Sequence, residues 1–267
     1  MSQSAALTVQ DLEVTFGAFT AVGGASFVAE PGEVHFLIGP NGAGKTTCVD
    51  AVTGLVRGSG RVTLGEQEVL GRPVQKIARM GVGRTFQTAS VFEQLSVLQN
   101  LDIAAGMHRS PWSLMGRRRG VEDRIRDALE QTQLEDLWDR PAGILSHGQK
   151  QWLEIGMLLV QDARVLMLDE PVAGMSLEER NATGELLHRV KQDRAVVVVE
   201  HDMEFMRSFA SRVTVLHQGT VLSAGSVAEV QADPKVQEVY LGTASMTEED
   251  AAQADAMAVQ TAGGPHA

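Results

Sequence analysis

The nine residues Gly39-Pro40-Asn41-Gly42-Ala43-Gly44-Lys45-Thr46-Thr47 satisfy the pattern G-x-x-x-x-G-K-[ST]. Glycines at these places let successive backbone N–H groups converge on phosphate oxygens, and the start of a helix adds a positive end. Lys45 is expected to bridge β- and γ-phosphates, and the Thr46 hydroxyl to coordinate Mg²⁺. Asp169 and Glu170 close the apolar run Val165-Leu166-Met167-Leu168, so two carboxylates stand at the C-terminal end of a strand, where α/β folds put ligands. Asp169 would hold Mg²⁺ through water. Glu170 would polarise an attacking water as a general base, a role worth roughly 10²–10⁴-fold in rate. A strand ending in Asp-Glu is by itself an ordinary solvated turn, and its pairing with the phosphate loop is what makes it specific.

His201 follows Val196-Val197-Val198-Val199 and Glu200, so a third strand end converges on the same edge and the histidine is expected at the γ-phosphate. Gln87, in Arg84-Thr85-Phe86-Gln87, stands where it could reach Mg²⁺ or the attacking water, although on spacing alone a solvated side chain is the commoner reading of a glutamine. In Leu145-Ser146-His147-Gly148-Gln149, Ser146 is a good N-cap for a helix with Trp152, Ile155, Leu158 and Leu159 on its apolar side. Capping does not explain Gly148, which costs helix propensity. Open backbone at a helix N-terminus makes an anion site, and this one lies too far along the chain to be assumed part of the first.

The elements that position these groups follow from periodicity. Alternation over Leu7–Val14 reads as an edge-type strand, and Ala25–Ala29, ahead of the Pro31-Gly32 turn, as its antiparallel neighbour. Glu33 to Ile38 reads as a short apolar strand entering the Gly-rich loop, and Thr46 to Leu55 as the helix leaving it, ending near Gly54. From Ser96 to about Leu159 the pattern is helical, an insert within an α/β core. Val165–Leu168 and Val196–Val199 are strands, the second apolar on both faces and therefore central in a parallel sheet. Val213–Leu216 and Gly219–Leu222 form a hairpin around His217-Gln218. After Gly242 the chain turns Ala-rich and acidic, and residues 243–267 read as a flexible tail, with a short acidic helix around Glu248–Met257 as the competing reading.

At 267 residues and 43% hydrophobic content the chain can bury a substantial core, and its formal charge of −11 disfavours nucleic acid as a partner. Cys48 is the only cysteine, which excludes an intramolecular disulfide and a multi-cysteine zinc site and fits a reducing compartment. The N-terminus lacks a signal-peptide pattern and no run of about eighteen apolar residues occurs, so any membrane work is expected to rely on partner subunits.

Taken together, residues 5–242 resemble the nucleotide-binding subunit of ABC transporters. Gly39–Thr47 matches that family's Walker A motif, Gln87 its Q-loop, Leu145–Gln149 its signature motif, Val165–Glu170 Walker B and His201 the switch histidine. The resemblance implies a P-loop NTPase (RecA-like) α/β core with an N-terminal antiparallel β subdomain and an inserted α-helical subdomain at about 88–160. It also implies ATP and Mg²⁺ as cofactors and a dimer in which Ser146, Gly148 and Gln149 of one subunit meet the nucleotide on Walker A of the other. Phe16 occupies the family's adenine-stacking position, with Phe19 as the rival. Two residues depart from the family's pattern: His147 stands where glycine is common, and Ser176 where aspartate is usual. Ser176 puts a cross-dimer aspartate contact in doubt.

Within the family, Ile77–Gln87, Glu170–Met175 and Asp233–Gly242 are similar to ATPases of bacterial branched-chain amino acid importers, and Leu145–Met157 is most similar to the urea and short-chain amide branch. The expected partners are transmembrane permease subunits, a second ATP-binding subunit and, indirectly, an extracytoplasmic solute-binding protein, with the chain on the cytoplasmic face of the inner membrane. The alternative is the same role in a branched-chain amino acid importer. A soluble ABC ATPase of DNA repair or translation is disfavoured by the acidity, and a non-hydrolysing regulator by Glu170 and His201. Arg117-Arg118-Arg119 reads as a solvated loop or a headgroup contact, and Val91-Phe92 as packing between core and insert or as a docking point for a membrane-subunit helix.

Overall fold

The computed structural model describes residues 5–86, 90–106 and 121–240. The chain runs β1 (Leu7–Phe16), β2 (Phe19–Ala29), β3 (Val34–Ile38), α1 (Lys45–Val52), β4 (Ser59–Leu64), β5 (Gln67–Glu68), α2 (Val74–Arg79) and β6 (Val82–Arg84). Three helices follow, α3 (Val97–Gly106), α4 (Val121–Thr132) and α5 (His147–Val160). The remainder is β7 (Val165–Asp169), α6 (Leu177–Val190), β8 (Ala195–Glu200), α7 (Met203–Phe209), β9 (Arg212–His217), β10 (Thr220–Gly225) and α8 (Val227–Ala232).

Two sheets result. The first is antiparallel in the order β2-β1-β4-β5, so β1 is an interior strand and not the edge its alternation suggests. Alternation reports that one face is buried and one solvated, a pattern shared by edge strands and by interior strands of a sheet covered on one side. The second sheet has the order β10-β9-β3-β8-β7-β6, parallel from β9 to β6, with β10 antiparallel at its edge. Strand β8 is flanked by β3 and β7 and buried along its whole length, as its unbroken valine run requires.

Successive residues of these central strands serve opposite faces. Phe36, Ile38, Leu166, Leu168, Val196 and Val198 pack among residues of α5, α6 and α7. Leu37, Met167, Val197 and Val199 join the antiparallel sheet and α1, through Leu7, Val14, Val62, Val49 and Val52. Each such burial contributes about 1.5–3 kcal/mol, which holds the two sheets and the helices as layers about one parallel sheet. Cys48 lies wholly inside the second cluster, where burial pushes its thiol up to about 12, so its place is in the core.

Some bounds differ from those read in the sequence. Helix α1 stops at Val52, because Gly54 takes φ 80 and ends the run. The β9–β10 turn is made by Gln218 and Gly219, at φ 48 and 79, one residue later than expected. The 243–267 tail and Arg117-Arg118-Arg119 lie outside the described residues.

Candidate nucleotide site

The phosphate loop is wedged between two strands. Gly44 has φ 96, and a Cβ there would stand 2.5 Å from the Ala21 carbonyl oxygen, while a Cβ on Gly39 would stand 2.1 Å from that of Leu216. Only glycine tolerates such approach, which is the local reason for the motif. Among the described residues no side chain caps α1, so its first N–H groups are open to an anion. Lys45 Nζ donates to the carbonyls of Gly39 (2.7 Å) and Pro40 (3.0 Å). Burial lowers the pKa of Lys45, and the carboxylates Glu170, Asp169 and Glu200 pull it back.

Asn41 to Thr47 line a pocket of about 330 Å³ together with Ala21, Glu170 and Phe19. Phe16 is not among its walls. The two rings stand opposite each other in the β1–β2 ladder, 53% and 64% exposed for Phe16 and Phe19, and the structure puts Phe19 on the pocket side. A larger cavity of about 640 Å³ between α3 and α4, edged by Leu98, Ile125 and Leu129, carries none of the phosphate-binding groups.

The parallel strands end in register along one edge, with Ile38 beside Glu200 and Asp169 beside Val199. Asp169 is buried; its Oδ2 accepts from Arg84 Nη2 at 2.9 Å, while its Oδ1 has no partner among the described residues. Burial raises the Asp169 pKa and Arg84 opposes that rise. Thr46 and the orphaned Oδ1 are hard oxygen donors, a set that suits Mg²⁺ shared with phosphate oxygens and water. Glu170 leaves the strand in the left-handed region at φ 49, its N–H donating to the Val199 carbonyl at 2.9 Å. His201 Nδ1 lies 3.7 Å from Glu170 Oε1 and 3.8 Å from Glu200 Oε2. Thus Glu170 and His201 meet across the ends of β7 and β8, whereas Gln87 lies outside the described residues.

Glu200 had no role assigned from sequence. It is buried, and burial raises its pKa, while its carboxylate accepts from the N–H groups of His201 (3.0 Å), Asp202 (3.3 Å) and Val172 (3.4 Å). These bonds brace the turn that presents His201.

Ser146 caps α5 through a capping box with Gln149. Its hydroxyl also donates to Glu179 Oε1 at 2.9 Å, and a Cβ on Gly148 would stand 3.0 Å from the same oxygen. Gly148 therefore has an intrachain reason, the room it leaves for Glu179, which the sequence did not disclose. Glu179 belongs to a second capping box, with Ser176 at the start of α6, and the N–H of Ser176 together with the Ser146 hydroxyl holds its carboxyl below the usual range. Ser176, which stands where the resemblance noted aspartate as usual, thus acts as the N-cap of α6. Val91 packs against the helical core while Phe92 stays 52% exposed.

Residues 22–173 match the family model described as ABC transporter. The chain belongs to the ABC transporter ATP-binding family. A model described as branched-chain amino acid ATP-binding cassette transporter matches residues 220–245, and two relatives, each 35% identical over most of both chains, show the subunit to be of the branched-chain amino acid importer type. Members of the family bind ATP and hydrolyse it in step with transport, and this chain is such an ATPase. It is 35% identical over 250 residues to the high-affinity branched-chain amino acid transport ATP-binding protein BraF of Pseudomonas aeruginosa, covering 89% of this chain and 98% of that one. LivG of Escherichia coli K12, of the same description, is also 35% identical, over 251 residues, 89% of this chain and 98% of that one. Among solved structures, the ADP conformation of an ATP-binding cassette of an ABC transporter superposes with a TM-score of 0.79 at 29% identity, covering 89% of this chain and 99% of the other.

Among the described residues no helix is long and apolar enough to cross a membrane.

Proposed function

We propose that the chain powers a bacterial importer of branched-chain amino acids, as a peripheral subunit on the cytoplasmic face of permease subunits fed by an extracytoplasmic binding protein. The importer type of the chain and the names of its BraF and LivG relatives support this substrate class over urea. One sequence observation favours urea or a short-chain amide as the second reading, the run from His147 through Lys150-Gln151-Trp152.

The observation that carries the site assignment is the meeting of Asp169, Glu170 and His201 at the strand edge above the loop of Gly39 to Thr47. In this reading the loop N–H groups and Lys45 hold the phosphates, Thr46 and Asp169 hold Mg²⁺, and Phe19 stacks on the base. Mg²⁺, when bound, neutralises charge on the β- and γ-phosphate oxygens. Glu170 takes the proton of the attacking water and His201 steadies the γ-phosphate end. Ser146, Gly148 and Gln149 serve the nucleotide of a second ATP-binding subunit. In the assembled transporter, Glu170→Gln is expected to keep ATP binding and to lower turnover by roughly 10²–10⁴-fold. Turnover near wild type would remove Glu170 from the base role. Uptake of labelled leucine and of urea in a deletion strain, with and without the gene restored, decides the substrate class.

A further inference from the structure

Arg84 has no part in the reading above, yet its guanidinium is hydrogen-bonded to that reading's metal residue, Asp169. It leaves the end of β6 with its side chain only 7% exposed. Its guanidinium forks between two carboxylates on different elements. Nη2 donates to Oδ2 of Asp169 at the end of β7, and Nη1 to Oδ1 of Asp50 on α1. The plane also lies over the Phe86 ring, 5.1 Å from its centroid, which fixes it from the side.

The consequence for Asp169 is geometric. A carboxylate with both oxygens free can rotate about Cβ–Cγ, but here one oxygen is tied to a planar, rigid donor and the other, Oδ1, is buried and has no partner among the described residues. Helix α1 begins with Lys45 and carries Thr46, so the same guanidinium also ties the element bearing the hydroxyl donor to the strand bearing the carboxylate. A buried, unpaired arginine would be costly, and the two acidic partners offset that cost only while α1 and β7 keep this spacing.

We propose that Arg84 is the positioning residue of the Mg²⁺ site: by holding Asp169 Oδ2 and Asp50 in one fork, it presents Asp169 Oδ1 to the ion at a fixed distance from Thr46. The inference rests on the reading that Asp169 carries Mg²⁺. Arg84 acts through Asp169 and touches neither nucleotide nor ion. Outer partners of metal ligands typically set about 10–100-fold of metal affinity, which is the size of effect to look for.

The test is calorimetry of ADP binding to the purified full-length subunit across a Mg²⁺ series, with thermal melts alongside. Arg84→Met is expected to leave metal-free ADP affinity within about twofold of wild type and to raise the half-saturating Mg²⁺ concentration by about tenfold or more. Arg84→Lys keeps the charge but loses the fork, and is expected to fall between. Asp50→Asn, which leaves the Asp169 contact in place, should shift Mg²⁺ dependence less than Arg84→Met does. A wild-type Mg²⁺ dependence in Arg84→Met would overturn the proposal, as would an equal loss of metal-free ADP affinity, which would make Arg84 a general support of the fold. If Arg84→Met does not fold, Arg84→Lys and Asp50→Asn carry the same test. Asp169→Asn separates the two layers: if that substitution leaves Mg²⁺ dependence unchanged, the assignment of Asp169 fails and the Arg84 inference falls with it, whereas a loss there beside an unaffected Arg84→Met sinks the inference alone.

Discussion

The Ser146 hydroxyl donates to Glu179 Oε1 at 2.9 Å, so the N-terminus of α5 already holds an anion supplied by its own chain. If Ser146 serves the phosphate of a second subunit, the carboxylate competes for the same hydroxyl. Glu179→Gln removes the charge while leaving an oxygen for the Ser176 cap. ATP-dependent pairing of subunits, measured by sedimentation in a Glu170→Gln background, is expected to tighten by about threefold to tenfold, the scale of one ordinary exposed hydrogen bond. Unchanged or weaker pairing would show that the two anions do not compete.

Phe19, and not Phe16, borders the phosphate-loop pocket. Phe19→Ala is therefore expected to weaken ATP binding by about fivefold to tenfold, in keeping with about 1 kcal/mol for an aromatic stack, and Phe16→Ala to leave it near wild type. Fluorescent-nucleotide titration of both variants checks this, and the reverse ranking would return the stacking role to Phe16.

What the sequence disclosed and withheld has a physical pattern. Val196–Val199 and Val165–Leu168 were legible because a strand buried on both faces is apolar at every position, and the phosphate loop because its glycines answer a local steric demand at Gly39 and Gly44. Phe16 and Phe19 were not separable, since they are cross-strand partners and only the seating of the β1–β2 hairpin over the loop distinguishes them. Arg84 with Asp50 and Asp169, and Ser146 with Glu179, join residues 34, 85 and 33 positions apart. No periodicity encodes such pairs; they exist only once β6 is registered on β7 and α5 is docked on α6. Gln87, which the resemblance placed at the metal, lies outside the described residues.

The strain at the phosphate loop gives a stability prediction. Gly44→Ala would put a methyl 2.5 Å from the Ala21 carbonyl oxygen at φ 96, combining a backbone clash with a disfavoured backbone conformation. It is expected to cost about 2–4 kcal/mol in urea unfolding and to abolish measurable nucleotide binding. By contrast, Gly17→Ala, at φ 62 with open space around the added carbon, should cost about 1 kcal/mol and leave binding intact. Equal losses for the two would mean that the close approach at Gly44 is relieved by movement of the loop.

Glu154 on α5 predicts a pH dependence of stability. It is buried at 5% exposure, with one carboxylate oxygen accepting from the Ser90 N–H at 3.4 Å and the other, Oε2, without a partner among the described residues. Burial raises its pKa to about 7, against the weaker pull of the Ser90 and Phe86 N–H groups. Between the ordinary carboxylate range and about 7 the folded chain keeps this proton while the unfolded chain releases it, so folding stability from Glu154 falls as pH rises through that window. The loss is complete above it and amounts to about 3 kcal/mol. Glu154→Gln carries no titrating group, so the difference in unfolding free energy between variant and wild type is expected to move in the variant's favour by about that amount from pH 4.5 to pH 8. Urea melts of both chains at those two pH values isolate the effect from every other titration they share. Parallel stability across the window would mean that water or a neighbouring donor reaches Oε2 and that Glu154 is ionised in the folded chain.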